Sequence, residues 1–172
     1  MSKLHLAYLN LGSNIQPEIN LPKALKLLSK YGEIKRVSNV WESEPVGAGG
    51  QNYLNICVLF EADSEQTALK EKIIHSIEHD LGRRRSADKF APRPIDIDIV
   101  LFDDQPVSDQ FWNLAYVMIP LAELYPAYQN PETGEAVGQI AARLRQSVWL
   151  KMRQGVISEL IRSRLQLELK RL

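Results

Sequence analysis

Between Ile95 and Val100 the sequence reads I-D-I-D-I-V, and no other stretch constrains the fold as tightly. Ile95, Ile97 and Ile99 take one set of alternate positions and Asp96 and Asp98 the other, the period-2 pattern of a half-buried β-strand. Both carboxylates therefore leave the same face. Two residues of strand rise put them about 6.5 Å apart at the backbone, so their ends can converge on one ion or on two ions about 4 Å apart. Carboxylates that close repel each other unless a cation lies between them, and oxygen-only ligands point to Mg²⁺ rather than zinc.

Just upstream, Arg83, Arg84, Arg85, Lys89 and Arg93 stand against a single acid, Asp88, a local net charge of +4 in a chain whose formal net charge is zero. Guanidinium groups beside a Mg²⁺-binding pair suit a polyphosphate, because Arg grips phosphate oxygens bidentately while the metal neutralises the remainder. The bland alternatives are a solvated acidic face and an arginine run that complements a helix dipole.

The rest of the chain supplies the frame. At 172 residues it is long enough for one domain with a proper core. Leu4–Leu11 alternates as a first strand and ends in the turn cluster Gly12-Ser13-Asn14. Leu21, Ala24, Leu25 and Leu28 then form a helical stripe, with Asn20 as expected N-cap and Gly32 beyond the end. Ile34–Trp41 reads as a second strand and 42–51, with Pro45, Gly47, Gly49 and Gly50, as a loop. Tyr53–Glu61 is a third strand. A second helix, capped at Asp63 or Ser64, carries the stripe Leu69, Ile73, Ile77 and Leu81 and stops at Gly82. With the Asp-bearing strand fourth, the order is β-α-β-β-α-β. The expected fold class is α+β: a ferredoxin-like βαββαβ antiparallel sheet with helices on one face, leaving the other for ligands.

Beyond Asp104 the pattern weakens. Pro120–Tyr125 reads as a short helix starting at proline and 131–134 as a turn. The expected domain division is 1–140 for the core and 141–172 for a C-terminal helical extension, in which eight Lys or Arg face only Glu159 and Glu168. That helix packs on its own domain or joins two copies of the chain as a homo-oligomer through Ile157, Leu160, Ile161 and Leu165; contact with an anionic membrane is the weaker reading. No long apolar run or leader pattern stands out, and Cys57, the one cysteine, lies within an apolar strand as a buried thiol, so a cytoplasmic protein is expected. Zero net charge argues against a general nucleic-acid partner. Ferredoxin-like folds also serve as RNA-binding modules, but Tyr53–Glu61 lacks the basic-glycine-aromatic spacing of those strands, and Asp96 and Asp98 repel a phosphate backbone.

The run Lys89-Phe90-Ala91-Pro92-Arg93, two residues, then Asp96-Ile97-Asp98-Ile99-Val100 resembles the signature of the 6-hydroxymethyl-7,8-dihydropterin pyrophosphokinases, a folate-pathway family. Ala7–Asn14 resembles that family's opening strand and turn, Trp41–Gly47 with Tyr53-Leu54-Asn55 its pterin-side segment, and Ile77–Arg85 its helix end and arginine loop; the similarity runs over roughly 5–104. The resemblance implies an ATP- and Mg²⁺-dependent transfer of pyrophosphate to the hydroxymethyl group of a reduced pterin, releasing AMP. It assigns two Mg²⁺ ions to Asp96 and Asp98. Catalysis falls to these two with Arg83 and Arg93, and ATP binding to Glu78, Arg83, Arg85, Lys89, Arg93 and Ile99. The pterin falls to Ser43, Pro45, Val46, Gly47, Tyr53 and Asn55, with Tyr116 as second aromatic wall.

One segment departs from the family pattern. Relatives carry a Pro-His-Pro-like stretch and an arginine ahead of the second aromatic, whereas this chain has Phe111-Trp112-Asn113-Leu114-Ala115, with no histidine and with Leu114 at the arginine's place. Losing one such donor costs about 3 kcal/mol in barrier. A noncatalytic or repurposed relative that binds nucleotide or another pterin is the alternative.

Overall fold

Strand β5 (Asp96–Phe102) lies inside a seven-stranded antiparallel sheet with β1 (His5–Ser13), β2 (Glu33–Val37), β3 (Val40–Ser43), β4 (Tyr53–Ala62), β6 (Gln105–Pro106) and β7 (Leu150–Arg153). The computed structural model describes residues 3–47, 49–84, 86–88 and 90–157. The order across the sheet is β6-β5-β1-β4-β3-β7, with β2 also beside β4, and every pairing is antiparallel. Its centre, β5-β1-β4-β2/β3, is the ferredoxin-like arrangement expected of βαββαβ. The single strand expected over Ile34–Trp41 is two, because the chain breaks at Ser38, whose hydroxyl accepts from the Cys57 amide at 2.8 Å.

Helix α1 (Pro17–Leu28) and a second helical rod over 66–80 cover one face. Helix α1 starts earlier than its apolar stripe: Gln16 is the N-cap and Asn20 lies inside, its amide donating to the Ile15 carbonyl at 2.7 Å. The rod comprises α2 (Gln66–Ala68), a π-helical stretch Leu69–Ile74 and α3 (His75–Asp80). The spacing of its stripe accounts for the π turn. Residues repeating every four drift by about 40° per step around an α-helix of 3.6 residues per turn, and a wider turn recovers the angle. Leu69, Ile73, Ile74 and Ile77 consequently bury together against Ile95, Ile97 and Ile99.

The opposite face is not free along its whole length. Helices α4 (Ala115–Leu124) and α5 (Val137–Arg145) cover one end of it, packing Met118, Leu121 and Ile140 on Tyr8, Cys57 and Leu101. Helix α4 starts five residues before Pro120, which is inside it. A proline there removes one backbone donor, and burial of Val117, Met118, Ile119 and Leu121 around it outweighs that loss. The expected division at 140/141 falls within α5, and the described part of the tail is not helical throughout: Leu150–Arg153 is a strand paired with β3. Ile157, expected in a subunit-pairing stripe, is 4% exposed and belongs to the helix-side core. Leu160, Ile161 and Leu165 lie outside the described residues. No described helix is long and apolar enough to cross a membrane.

Candidate active site

One rung of the sheet carries most of the site. Asp96 on β5 pairs with Gly12 on β1, Gly12 with Asn55 on β4, and Asn55 with Trp41 on β3. The next rung with the same facing, two residues along, is Asp98, Asn10 and Cys57. Side chains of both rungs share the face that α4 leaves uncovered, where a cavity of about 470 Å³ is lined by Asn10, Gly12, Ser43, Pro45, Val46, Tyr53, Asn55, Phe90, Arg93, Asp96, Asp98, Gln110, Leu114 and Tyr116.

The wall formed by β3 and β4 is held by fixed hydrogen bonds. Asn55 is buried, and its Nδ2 donates to Ser43 Oγ at 2.9 Å and to the Trp41 carbonyl at 3.3 Å, which leaves Oδ1 as the amide's open acceptor. A Cβ at position 12 would stand 3.1 Å from that oxygen, so glycine there keeps it accessible. Tyr53 and Tyr116 both line the cavity, and burial raises both phenol pKa values, keeping the rings neutral. Gly47, at φ +106, lets the glycine loop reach Phe90: a Cβ on it would stand 3.2 Å from that ring.

Charges dominate the β5 side. Arg83 Nη1 donates to Glu78 Oε1 and, at 2.6 Å, to Asp96 Oδ1, while Arg93 Nη1 donates to Asp96 Oδ2. Glu78, 5% exposed, also accepts from the Ile97 amide at 2.9 Å and so satisfies a backbone donor at the open edge of β5. Lys70 Nζ, on the π turn, stands 3.7 Å from Asp98 Oδ1. Burial, and then the charge of Asp96, push the Asp98 carboxyl up to about 6. Asn14 sets the Arg93 backbone in place: its Oδ1 accepts from the Arg93 backbone N–H at 2.7 Å, and its own backbone N–H donates to the Arg93 carbonyl at 3.1 Å. A second hollow, on the far side of Arg83, is lined by Glu71, His75, Glu78, His79, Arg83 and Arg84.

The expected residues Ser43, Pro45, Val46, Tyr53, Asn55, Tyr116, Arg93, Asp96 and Asp98 thus meet in one cavity, with Arg83 and Glu78 at its charged edge and Gly47 against Phe90. Ile99 does not join them: it packs in the helix-side core with Ile95 and Ile97. Arg85 and Lys89 lie outside the described residues. Asn10, Asn14, Lys70, Phe90 and Gln110 were not singled out by sequence pattern. Phe90 stood within the signature run, and Asn10 and Asn14 within the stretch Ala7–Asn14, without a role of their own; Lys70 and Gln110 stood in neither.

The donor set also bears on a metal. Among the described residues no cluster of three His, Cys, Asp or Glu forms a closed cage. Two same-face carboxylates fit a Mg²⁺ ion that completes its shell with substrate phosphates and water, the usual manner of its binding.

Fold and site together define an α+β sheet protein whose aromatic-walled cleft ends at paired carboxylates and arginines. The family model for 7,8-dihydro-6-hydroxymethylpterin-pyrophosphokinase matches residues 8–126, and the chain belongs to this family. It is 30% identical over 164 residues to the 2-amino-4-hydroxy-6-hydroxymethyldihydropteridine pyrophosphokinase of Bacillus subtilis (strain 168), covering 88% of this chain and 94% of that protein. The Synechocystis protein of the same name is 29% identical over 147 residues, covering 79% and 74%. Among solved structures, Plasmodium falciparum HPPK-DHPS superposes with a TM-score of 0.69 at 14% identity, over 83% of this chain and 46% of that one, and shows the shared fold.

Proposed function

We propose that the chain transfers a pyrophosphoryl group from ATP to the hydroxymethyl group of 6-hydroxymethyl-7,8-dihydropterin, releasing AMP, as a step of cytoplasmic folate biosynthesis. The observation that carries this reading is the rung Asp96–Gly12–Asn55, which places a metal-competent carboxylate beside an amide acceptor in a cavity lined by two tyrosines. Family membership supports it.

Attack takes place at the β-phosphorus, so three phosphates must be held while the alcohol is aligned with them. Mg²⁺ held by Asp96 and Asp98, two ions when ATP is bound, would neutralise phosphate charge and lower the pKa of the alcohol. In the free protein Arg83 and Arg93 are paired to Asp96. Binding the triphosphate would exchange partners: the guanidinium groups would turn to phosphate oxygens, freeing Asp96 to hold the metal. Arg85 and Lys89 join that basic set. Tyr53 and Tyr116 sandwich the ring, Asn55 Oδ1 accepts from its edge, and backbone groups around Ser43, Pro45, Val46 and Gly47 complete the recognition. The Gly47 and Phe90 loops touch already and close over the site, excluding water from the anhydride. The nucleotide lies on the Glu78–Arg83 side.

Incubation with ATP, MgCl₂ and the pterin, followed by chromatography, tests this. AMP should form in equal amount with the pyrophosphorylated pterin, and no AMP above a pterin-free control would refute the reaction. One observation favours a second reading: Leu114 and Gln110 line the cavity where the family pattern has an arginine and an imidazole nearby. A chain that binds both ligands without turnover would match that reading.

A further inference from the structure

Strand β7 reaches the site from behind. Its Arg153 pairs in register with Val40, and Arg153 Nη1 donates to Glu42 Oε2 at 2.7 Å. The other oxygen of that carboxylate accepts from Asn52 Nδ2 at 2.9 Å, so one side chain joins β7 to the residue just ahead of β4. The amide, and then the guanidinium, hold the Glu42 carboxyl below the usual carboxylate range, which keeps it ionised. Alternation along β3 sends Ser43 to the cavity and Glu42 to the opposite face, on which Val40 packs in the helix-side core. Glu42, Asn52 and Arg153 do not line the cavity themselves.

Ser43 closes β3 and Asn52 precedes β4, and the chain joining them carries Pro45 and Val46 onto the cavity. Gly47, Gly49 and Gly50 in that stretch have φ of +106, +81 and +124, conformations open to glycine, whose lack of a side chain does little to fix them. Where Pro45 and Val46 stand therefore depends on how the ends are held. Two side chains hold the returning end: Glu42 takes Asn52, and Asn14 Nδ2 donates to the Gln51 carbonyl at 3.4 Å. Arg153 in turn holds Glu42, with Glu18 in the first turn of α1 a second acidic neighbour 3.6 Å from its Nη2. We infer that Arg153 is a positioning residue for the pterin wall, acting through Glu42 and Asn52 on the segment that carries Pro45 and Val46. It lies beyond residues 8–126, the span that the family model matches. This role rests on the proposed pterin reading and brings the C-terminal strand into it.

The test is calorimetry of Arg153→Gln, Arg153→Lys, Glu42→Ala and the double variant Glu42→Ala/Arg153→Gln against the unaltered protein. Each is titrated with 6-hydroxymethylpterin in the presence of Mg²⁺ and a nonhydrolysable ATP analogue, at a temperature where circular dichroism shows every form folded. Arg153→Gln should lower pterin affinity by about fivefold, a loss on the scale of one hydrogen bond, and leave affinity for the analogue unchanged. Arg153→Lys, which keeps the charge, should recover part of that loss. The double variant should bind pterin no more weakly than Glu42→Ala, because the two residues act in series. Unchanged pterin affinity in Arg153→Gln would overturn the assignment, as would equal losses of pterin and nucleotide affinity, the mark of a general loosening of the fold; both results leave the pterin site standing. If the unaltered protein bound nucleotide but no pterin, the pterin reading would fail and the role of Arg153 with it.

Discussion

The two halves of the cavity are built on opposite principles. On the β3–β4 side, Asn55, Ser43 and Trp41 are tied to one another by neutral hydrogen bonds inside the sheet, and the shape that meets a ligand is already in place. On the β5 side, Glu78, Arg83, Arg93 and Asp96 satisfy one another's charges, and Lys70 approaches Asp98. In the proposed reaction those groups would have to change partners before holding phosphate or metal. A preorganised wall gives selectivity with little rearrangement, whereas a self-paired charge network keeps a highly charged site stable until its ligand arrives.

The sharpest way to break this comparison is Asp98→Asn. Turnover should fall to less than a tenth, because the change removes a metal-binding charge at constant shape, a loss of more than about 1.4 kcal/mol in the transition state. The ligand-free variant should unfold at a higher temperature than the parent at pH 7, since the carboxylate it replaces is resisted by burial and by Asp96. An unfolding temperature below the parent's would show that Lys70 outweighs both.

Arg83→Ala comes next. It strips the buried Glu78 of its ion pair and should destabilise the fold by about 3 kcal/mol in urea titrations. Nucleotide affinity should fall as well, with pterin affinity unaltered in calorimetry. Asn55→Ala should produce the mirror image: pterin binding weaker by about 1 to 3 kcal/mol and nucleotide binding intact. If either variant damaged both ligands equally, the cavity would act as a single unit.

Acidity should separate the halves more gently. The folded-state pKa of Asp98, about 6, lies above its unfolded value, so the folded chain takes up a proton that the unfolded chain does not between roughly pH 4 and 6. On this group's account the ligand-free protein gains stability as pH falls through that window. Mg²⁺ needs the ionised carboxylate, so its affinity should decline below about pH 6 and its binding at pH 6 should release protons, which calorimetry in buffers of different ionisation enthalpy detects. Tyr53 and Asn55 carry no charge there, and pterin binding should be nearly level. The smallest effect is Leu114→Arg, which should raise kcat/KM by up to about tenfold if the guanidinium reaches the phosphates; no change would mean that the existing arginines suffice.

What was legible in the sequence follows from local periodicity. Alternation over 95–99 placed Asp96 and Asp98 on one face, and the helical stripes from Leu21 and from Leu69 placed both helices over the other. The names of the cavity residues came from the family signature, and the structure gathers most of them, with Ile99 the exception because its own alternation sends it into the helix-side core. Signals that depend on context misled at the edges. Pro120 looked like a helix start because proline breaks isolated helices, yet in α4 it is surrounded by packed apolar neighbours.

By itself the sequence determined the central βαββαβ order and the same-face carboxylates, since both are written in repeats of two to four residues. Only the tertiary structure decided that Leu150–Arg153, about a hundred residues away, would extend the sheet beside Ser43, with Arg153 bonded to Glu42 at 2.7 Å. It also decided that Glu78 would satisfy the Ile97 amide, that Lys70 would reach Asp98, and that Asn10 would lie between a thiol and a carboxylate with an oxygen to spare. Such pairings depend on strand register and helix placement across the whole chain, and a local pattern carries the period of an element without the identity of its neighbour.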